Sequence, residues 1–561
     1  MTASRTEPCA LGLDFGTASV RALVVEVRTG KERGSAVAEY PNGVIEATLP
    51  GTGARLPSDW ALQHPADWLE AIAKAVPQAR AAAGVDRDAI VGLGVDFTSC
   101  TILPVDSAGK PLCLDPAWAA RPHAWVKLWK HHAAQPQADR INALAAQRAE
   151  AFLADYGGKT SSEWLVAKAL QVLEEDPDVY AATAAFVEGG DWIVSQLTGR
   201  FVRNACAAGY KGFWSAERGF PSRDFFAALS PAFADMPEKL SGEIVPPGRA
   251  IGGLTQERAS LLGLAADTPV GAAIIDAHSA TPAATVVAPG RMVLVLGTST
   301  CHMVLSERYA CVEGIGGVVK DGIVEGFYGY EAGQPAVGDI FGWFAKLAGK
   351  GNFAALEHEA AQVPPGSRGL LALDWWNGNR SVLVDANLSG AVVGLTLATT
   401  GAEIYRALIE ATAFSTRRIL DAFAAQGIPV EELIAVGGLA ERSPLLVHIY
   451  ADVTRLPITL AATGNASALG AAMLGAVAAG PERGGHSSFA EAAQAMAHLN
   501  EERVLYDADA AAHYDELYKD WLELHDHFGK GTDLMKRLRR RSIPPLPPAG
   551  GEGGGEGGEL S

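Results

Sequence analysis

Short apolar runs of strand length alternate along the chain with longer segments whose apolar residues recur at helical spacing. Alternation of this kind is typical of α/β proteins. The pattern predicts strands over residues 90–95, 270–275 and 433–436, and helices over 68–83, 161–173, 191–197, 404–423, 444–453 and 469–479. The helix over 161–173 is expected to begin at two serines, with Glu163 in its N-terminal cap.

One strand-turn-strand pattern occurs twice, near the N-terminus and again past the middle of the chain. The first copy contains Asp14-Phe15-Gly16-Thr17, and the second contains Gly297-Thr298-Ser299-Thr300. In each copy a glycine permits a tight turn, and the N–H groups and hydroxyls that follow suit phosphate oxygens. The two turns therefore predict two related domains that face one polyphosphate. The alternative is an ordinary hairpin in which Asp14 only caps the turn.

Two acids follow apolar strands. Asp14 ends the first strand of the first turn, where the second copy has Val295, and a carboxylate there suits a water-held Mg²⁺ beside nucleotide phosphates. Asp276 follows the run 270–275 and fits a general base that accepts a hydroxyl proton. Alternatively, Asp276 only caps the next helix. His278 is expected to be a structural or sugar-contacting residue, since no second metal ligand is spaced for it.

Three glycine-rich segments suit a ligand. Gly437-Gly438 follows the strand 433–436, and it permits close approach of a flat ring or a ribose, although a plain turn explains it equally well. Residues 209–214 and 329–334 each set one charge, Lys211 or Glu331, among aromatics and glycines. A polyhydroxylated ligand needs this mix, and charges paired within a core are the alternative.

Composition limits the class of protein. At 561 residues the chain exceeds one ordinary hydrophobic core, so two or more domains are expected. A formal net charge of −18 argues against a nucleic-acid or anionic-membrane binder. The N-terminus lacks a signal-peptide pattern, and the six cysteines lack metal spacing. A cytosolic protein without nucleic-acid or membrane partners is therefore expected.

The order of these motifs resembles that of the FGGY carbohydrate kinases, members of the actin/hexokinase-like ATPase superfamily. The resemblance covers residues from about 10 to 480 and rests on the two turns, the Asp-Ala-His strand end at Asp276 and the Gly-Gly-Leu-Ala turn at Gly437. Segments 95–98, 161–164, 207–211 and 328–334 are similar to motifs of the branch that phosphorylates L-ribulose. Leu439 departs from the family, in which many members have a third glycine.

The resemblance implies an α/β fold with two actin/hexokinase-like (ribonuclease H-like) ATPase domains and a cleft between them. We expect an N-terminal domain over residues 8–289, which holds the sugar site and the first turn. A C-terminal domain over 290–482 would hold the nucleotide site. A helical extension over 483–541 and a disordered tail over 542–561 would follow. The basic cluster 536–541 is interpreted as a solvated helix end.

The resemblance also implies a reaction, the transfer of the γ-phosphate of ATP to the terminal hydroxyl of L-ribulose, within L-arabinose catabolism. Asp276 would be the catalytic base, and Asp14 and Asp276 would hold Mg²⁺. The sugar pocket would contain Ser99, Lys211, Asp276 and Glu331. The nucleotide would be contacted by Asp14, Gly16, Thr17, Gly297, Thr298, Ser299, Gly437 and Gly438. A D-ribulose or xylulose kinase and a non-catalytic actin-fold ATPase are the alternatives, and a homodimer is a family-level expectation.

Overall fold

The computed structural model describes residues 7–349 and 353–542, apart from the side chains of residues 540 and 542. From residue 543 onward, the predicted tail lies outside the described residues. None of the helices in the described ranges is long and apolar enough to cross a membrane.

The strands of the described ranges fall into two large sheets and three small ones. They are Cys9–Phe15 (β1), Ser19–Glu26 (β2), Glu32–Glu39 (β3), Leu62–Gln63 (β4), Ile90–Phe97 (β5), Ile102–Val105 (β6), Val126–Lys127 (β7), Ala185–Glu188 (β8), Arg203–Asn204 (β9), Ile244–Val245 (β10), Ala250–Gly253 (β11), Pro269–Gly271 (β12), Ile274–Ile275 (β13), Gly290–Leu296 (β14), Thr300–Ser306 (β15), Gly317–Lys320 (β16), Tyr328–Gln334 (β17), Leu371–Leu373 (β18), Ala391–Val393 (β19), Val430–Val436 (β20), Ile458–Ala461 (β21) and Leu499–Val504 (β22).

Helices cover the sheets and connect their strands. They are Pro65–Ala83 (α1), Gln135–Gln147 (α2), Leu165–Glu175 (α3), Pro177–Ala182 (α4), Gly189–Thr198 (α5), Ala205–Gly212 (α6), Arg223–Leu229 (α7), Met236–Lys239 (α8), Gln256–Leu262 (α9), Asp276–Ala283 (α10), Gly338–Leu347 (α11), Phe353–Ala361 (α12), Gly401–Ala425 (α13), Gly438–Arg442 (α14), Pro444–Thr454 (α15), Ala466–Ala479 (α16), Phe489–Met496 (α17), Ala508–Asp526 (α18) and Leu534–Ser542 (α19).

The two large sheets repeat one topology. In the N-terminal sheet the order is β11-β12-β5-β1-β2-β3, with β13 also paired to β5, and in the C-terminal sheet it is β16-β17-β15-β14-β20-β21-β22. Each sheet contains an antiparallel hairpin, β1-β2 or β14-β15, whose first strand runs parallel to a later strand, β5 or β20. The duplicated sequence pattern therefore corresponds to a duplicated unit of the sheet.

Helices α10 and α16 join the two units. Three glycines of the N-terminal sheet leave room for the backbone of α16, because a Cβ on Gly12, Gly92 or Gly94 would lie 2.0–2.1 Å from a carbonyl oxygen of that helix. On α16 itself, a Cβ on Gly470 would lie 1.9 Å from the carbonyl oxygen of Ser279 on α10. A helix from the second half of the chain is thus packed directly on the first sheet.

Most predicted elements are confirmed, but the helix expected over 161–173 begins late. It starts at Leu165, after Trp164 with no side-chain cap, so the prediction of a Glu163 cap is wrong. The carboxylate of Glu163 lies instead near His132 and Arg380, with Oε1 3.7 Å from Nδ1 of His132 and 3.8 Å from Nη2 of Arg380.

Two other expectations need correction. The strand predicted over 270–275 is two strands, β12 and β13, because the backbone of Ala272 bonds to the loop at Gly248 and Arg249. The extension predicted as helical contains β22, which completes the C-terminal sheet beside β21. Its basic end is a helix, as predicted, but Lys536 is paired with Asp385 at 2.9 Å instead of being free in solvent.

Candidate active site

Three carboxylates meet at one edge of the N-terminal sheet. Strands β1, β5 and β13 run parallel, so their carboxyl ends lie side by side. Asp14 is the register partner of Asp96, and Ile274 is the partner of Asp96 on the other side, so Asp276 follows two residues later at the start of α10. The sequence alone predicts no role for Asp96. Its signal was the same as that of the other two acids, a carboxylate at the end of an apolar strand.

The ionisation of these carboxylates is strongly perturbed. Burial raises the pKa of Asp276 to about 7, and the charge of Asp14 adds to the rise. The N–H of Ala277, which donates to Oδ1 of Asp276 at 2.7 Å, opposes it. Burial also raises the pKa of Asp14, and burial with the charges of Asp14 and Asp276 raises the pKa of Asp96 well above its usual value. Positive charge at this edge would favour the ionised forms.

The carboxylates at this edge could contribute to a Mg²⁺ site. Both carboxylate oxygens of Asp96 are buried and have no hydrogen-bond partner among the described residues. Within the same part of the chain, no three His, Cys, Asp or Glu side chains lie close enough to hold an ion by themselves. Mg²⁺ usually keeps several water ligands and shares phosphate oxygens, so two or three carboxylates nearby suit it.

The two glycine turns are closed by the same kind of backbone hydrogen bond. The N–H of Gly16 donates to the carbonyl of Ser19 at 2.9 Å, and the N–H of Gly297 donates to the carbonyl of Ser299 at 3.0 Å. Each turn is then fixed from outside: Trp129 Nε1 donates to Oγ1 of Thr17 at 3.1 Å. In the second turn, the N–H groups of residues 337 and 338 donate to the carbonyls of residues 298 and 297 at 2.8 and 3.1 Å. Both turns are therefore held in place from neighbouring segments.

The Gly437-Gly438 turn lies beside the second of these turns. Strands β14 and β20 run parallel, and Val295 is the register partner of Val436. Gly437 has φ 101°, and a Cβ there would lie 2.5 Å from the carbonyl oxygen of Leu296. Only glycine fits such a position without strain. The structure thus brings Gly437 and Gly438 next to Gly297, Thr298 and Ser299.

Lys211 and Glu331 form a buried ion pair between the two halves of the chain. Nζ of Lys211 on α6 lies 3.0 and 2.9 Å from the carboxylate oxygens of Glu331 on β17. Nε2 of His278 lies 3.2 Å from Oε2 of Glu331, without the angles of a hydrogen bond. Burial alone would raise the pKa of Glu331, but Lys211 and His278 overcome it and hold that pKa below its usual range. The paired-charge alternative is therefore realised, at a junction between the two halves of the chain.

Ser99 lies half-buried in the loop after β5. The loop is held by Nζ of Lys168, which donates to the carbonyl of the next residue, Cys100, at 2.7 Å. Cys100 has φ 55°, so the backbone turns sharply there. Of the contacts described, none joins the side chain of Ser99 to Lys211 or Glu331. Its assignment to the pocket rests on loop position.

Comparisons with known proteins support the resemblance seen in the sequence. The N-terminal domain of the FGGY family of carbohydrate kinases matches residues 9–281, and the C-terminal domain of the same family matches residues 292–479. A ribulokinase from Shouchella clausii is 51% identical over 544 residues, covering 94% of this chain and 97% of that protein. One from Geobacillus thermodenitrificans is 50% identical over 543 residues, covering 94% and 96%.

A solved structure supports the fold. The xylulose kinase from Rhodospirillum rubrum is 26% identical, with a TM-score of 0.77, and the match covers 92% of this chain and 98% of that one. The expected α/β class, with two actin/hexokinase-like domains, is confirmed. The domain boundaries drawn from the sequence stay predictions.

Proposed function

The chain belongs to the FGGY family of carbohydrate kinases and is an ATP-dependent sugar kinase, and we propose that its sugar is L-ribulose, converted to L-ribulose 5-phosphate. Two relatives that are half identical over nearly the full length are ribulokinases. A step in L-arabinose catabolism follows from that substrate.

We assign the role of general base to Asp276. Asp276 begins α10 at the end of β13, beside the strand ends that carry Asp14 and Asp96, and its pKa responds to Asp14 and also to Glu331 and Lys211. This placement is the observation that carries the proposal. A base with a pKa near 7 accepts a proton efficiently at neutral pH. The sugar oxygen, as it loses its proton to Asp276, would attack the γ-phosphorus of ATP, and the bond from that phosphorus to the β,γ-bridging oxygen would break to release ADP.

The nucleotide is proposed to lie across the two glycine turns. N–H groups and hydroxyls of Gly16, Thr17, Gly297, Thr298 and Ser299 would donate to phosphate oxygens, and Gly437 with Gly438 would border the adenine. Asp14 and Asp276 would hold Mg²⁺ near the phosphates, where it would supply positive charge against the developing negative charge. Closure of the two halves would exclude water, the competing nucleophile.

The sugar is proposed to lie against Lys211, Glu331 and Ser99. Lys211 can only donate hydrogen bonds, and ionised Glu331 can only accept them. The pair can therefore bind sugar hydroxyl groups both as acceptors and as donors. Because these two residues come from different halves of the chain, a sugar bound between them would contact both halves and favour their closed arrangement.

ADP release coupled to a reporter reaction tests this function over L-ribulose, D-ribulose, the xyluloses and glycerol, with Asp276→Asn as the matched control. We expect L-ribulose to give the highest kcat/KM. The proposal fails if a xylulose or glycerol is the better substrate. If no sugar raises ADP release, the alternative of a non-catalytic actin-fold ATPase is favoured. A homodimer and a cytosolic location stay predictions.

A further inference from the structure

Arg380 carries a guanidinium group that the described residues leave without hydrogen bonds. The nearest ionic contact described for it is Oε1 of Glu163, 3.8 Å from Nη2, which exceeds hydrogen-bond distance. A guanidinium has five N–H donors, and partly buried ones normally use them. This arginine follows Asn379 in the segment before β19, in the second half of the chain.

Other buried arginines of this chain satisfy their donors within the protein. Arg203 donates to the carbonyls of Ser241 and Lys239 at 3.2 and 3.1 Å. Arg406 donates to Glu410 and to Tyr514, both at 2.8 Å. Arg380 differs from both, because its guanidinium group has no such partners among the described residues.

The surroundings of Arg380 are those of the proposed sugar pocket. The strand β17 passes beside it, because a Cβ on Gly333, two residues after Glu331, would lie 3.4 Å from Cδ of Arg380. Burial lowers the pKa of Arg380, but Glu163, Cys301, Glu331 and Cys100 raise it above its usual value. Cys100 directly follows Ser99, so the guanidinium lies among the residues of that pocket.

Strand β17 contacts both Arg380 and the helix of the proposed base. Nε2 of His278, two residues after Asp276 on α10, lies 3.2 Å from Oε2 of Glu331, and Gly333 on the same strand lies beside Arg380. The charge of Glu331 also acts on the pKa of both Asp276 and Arg380. A sugar whose terminal hydroxyl meets Asp276 would therefore extend past Lys211 and Glu331, with its other end toward Arg380.

The Glu163–Arg380 pair joins the two halves of the chain, as the Lys211–Glu331 pair does, but it is open. Its 3.8 Å separation compares with 2.9 Å for Lys211 and Glu331. The carboxylate of Glu163 accepts no side-chain hydrogen bond among the described residues. An open pair of this kind offers a donor-only group next to an acceptor-only group.

We propose that Arg380 and Glu163 together bind the hydroxyketone end of the ketopentose, with Arg380 donating to the C2 carbonyl oxygen and Glu163 accepting from the C1 hydroxyl. A ketone accepts hydrogen bonds and cannot donate them, so a guanidinium is its natural partner. The inference rests on the proposed function, since it presumes a ketopentose. It makes Arg380 the residue that distinguishes a ketopentose from the corresponding pentitol.

Arg380→Ala and Arg380→Lys test this inference on L-ribulose and on ribitol and L-arabitol, the pentitols formed by reduction at C2. For Arg380→Ala we expect the KM for L-ribulose to rise about 10- to 100-fold, as for loss of a charged hydrogen bond, with a smaller change in kcat. The kcat/KM for the pentitols should change less than about threefold. Arg380→Lys should be intermediate, and added guanidinium ion should partly restore the alanine variant on L-ribulose only.

Arg249→Ala is the matched control. Arg249 also pairs across the halves, with Glu325 at 3.2 Å, but its side chain is 57% exposed. The Arg249→Ala substitution should leave kcat and KM for L-ribulose and for the pentitols unchanged. The inference is overturned if Arg380→Ala weakens L-ribulose and pentitols equally, if it acts on the KM for ATP, or if L-ribulose kinetics are unaltered. Failure of the proposed function is separate, since it appears as a poor L-ribulose rate in the unmodified enzyme.

Discussion

Asp14 and Asp96 are register partners on the parallel strands β1 and β5, so two carboxyl groups lie side by side at the edge where Asp276 begins α10. Buried carboxyl groups in such proximity cannot all ionise freely. The clustering lowers the stability of the fold when the carboxyl groups ionise, and it places acidic groups where a kinase can use them. It leads to measurable consequences for activity and for stability.

The rate should increase with pH as Asp276 loses its proton. A general base works in its ionised form, and the pKa of Asp276 is raised to about 7, by burial first and by Asp14 second. At saturating ATP, kcat/KM for the sugar should therefore fall about tenfold per unit below that pKa. More Mg²⁺ should move the inflection to lower pH. A profile that is flat from pH 5 to 8 would remove Asp276 as the base.

Replacing Asp276 by Asn should stabilise the fold at pH 8 while it abolishes turnover. A carboxyl group whose pKa is raised on folding binds protons more tightly in the folded state, so stability falls as pH rises from its ordinary pKa toward the folded value. The amide removes that loss. Thermal unfolding in EDTA should give a higher Tm for the variant at pH 8, with little difference at pH 4. A lower Tm at pH 8 contradicts the explanation.

The same substitution at Asp96 separates stability from chemistry. Asp96→Asn also removes a buried carboxyl group with a raised pKa, so a higher Tm at pH 8 is expected again. Turnover should fall less than in Asp276→Asn, because Asp96 is at most one of the carboxylates near Mg²⁺ and not the proposed base. Complete loss of turnover in Asp96→Asn would transfer the essential role to Asp96.

How far the sequence predicts this site depends on the kind of residue. The strand end at Asp276 and the two glycine turns can be predicted because strand ends and tight turns are local features of the chain, while the roles assigned to them stay predictions. The pairing of Lys211 with Glu331 cannot be predicted in this way, since it joins residues 120 positions apart across two halves of the fold. Glu163 was misinterpreted as a helix cap because its spacing from two serines fits that motif, while Arg380 is distant in sequence.

Replacing only Lys211 of the Lys211–Glu331 pair should lower the free energy of unfolding more than replacing both residues. Lys211→Met leaves a buried carboxylate beside His278, and loss of one partner of a buried ion pair costs about 3–5 kcal/mol. Urea unfolding should show the double variant Lys211→Met/Glu331→Gln to be more stable than Lys211→Met alone. Both variants should lose sugar phosphorylation. Equal destabilisation would mean that His278 already neutralises the carboxylate.

Gly94→Ala should damage both the fold and the catalytic site. A Cβ on Gly94 would lie 2.0 Å from the carbonyl oxygen of Ala471, so α16 must shift at a cost of about 1–3 kcal/mol. The shift should reach Asp276, because Oγ of Ser279 on α10 donates to the carbonyl of Ser467 on α16 at 2.9 Å. Both Tm and kcat should therefore fall. Gly342→Ala is the control: it lies within α11 with its nearest Cβ neighbour at 4.0 Å, so about 0.5–1 kcal/mol of stabilisation and an unchanged kcat are expected.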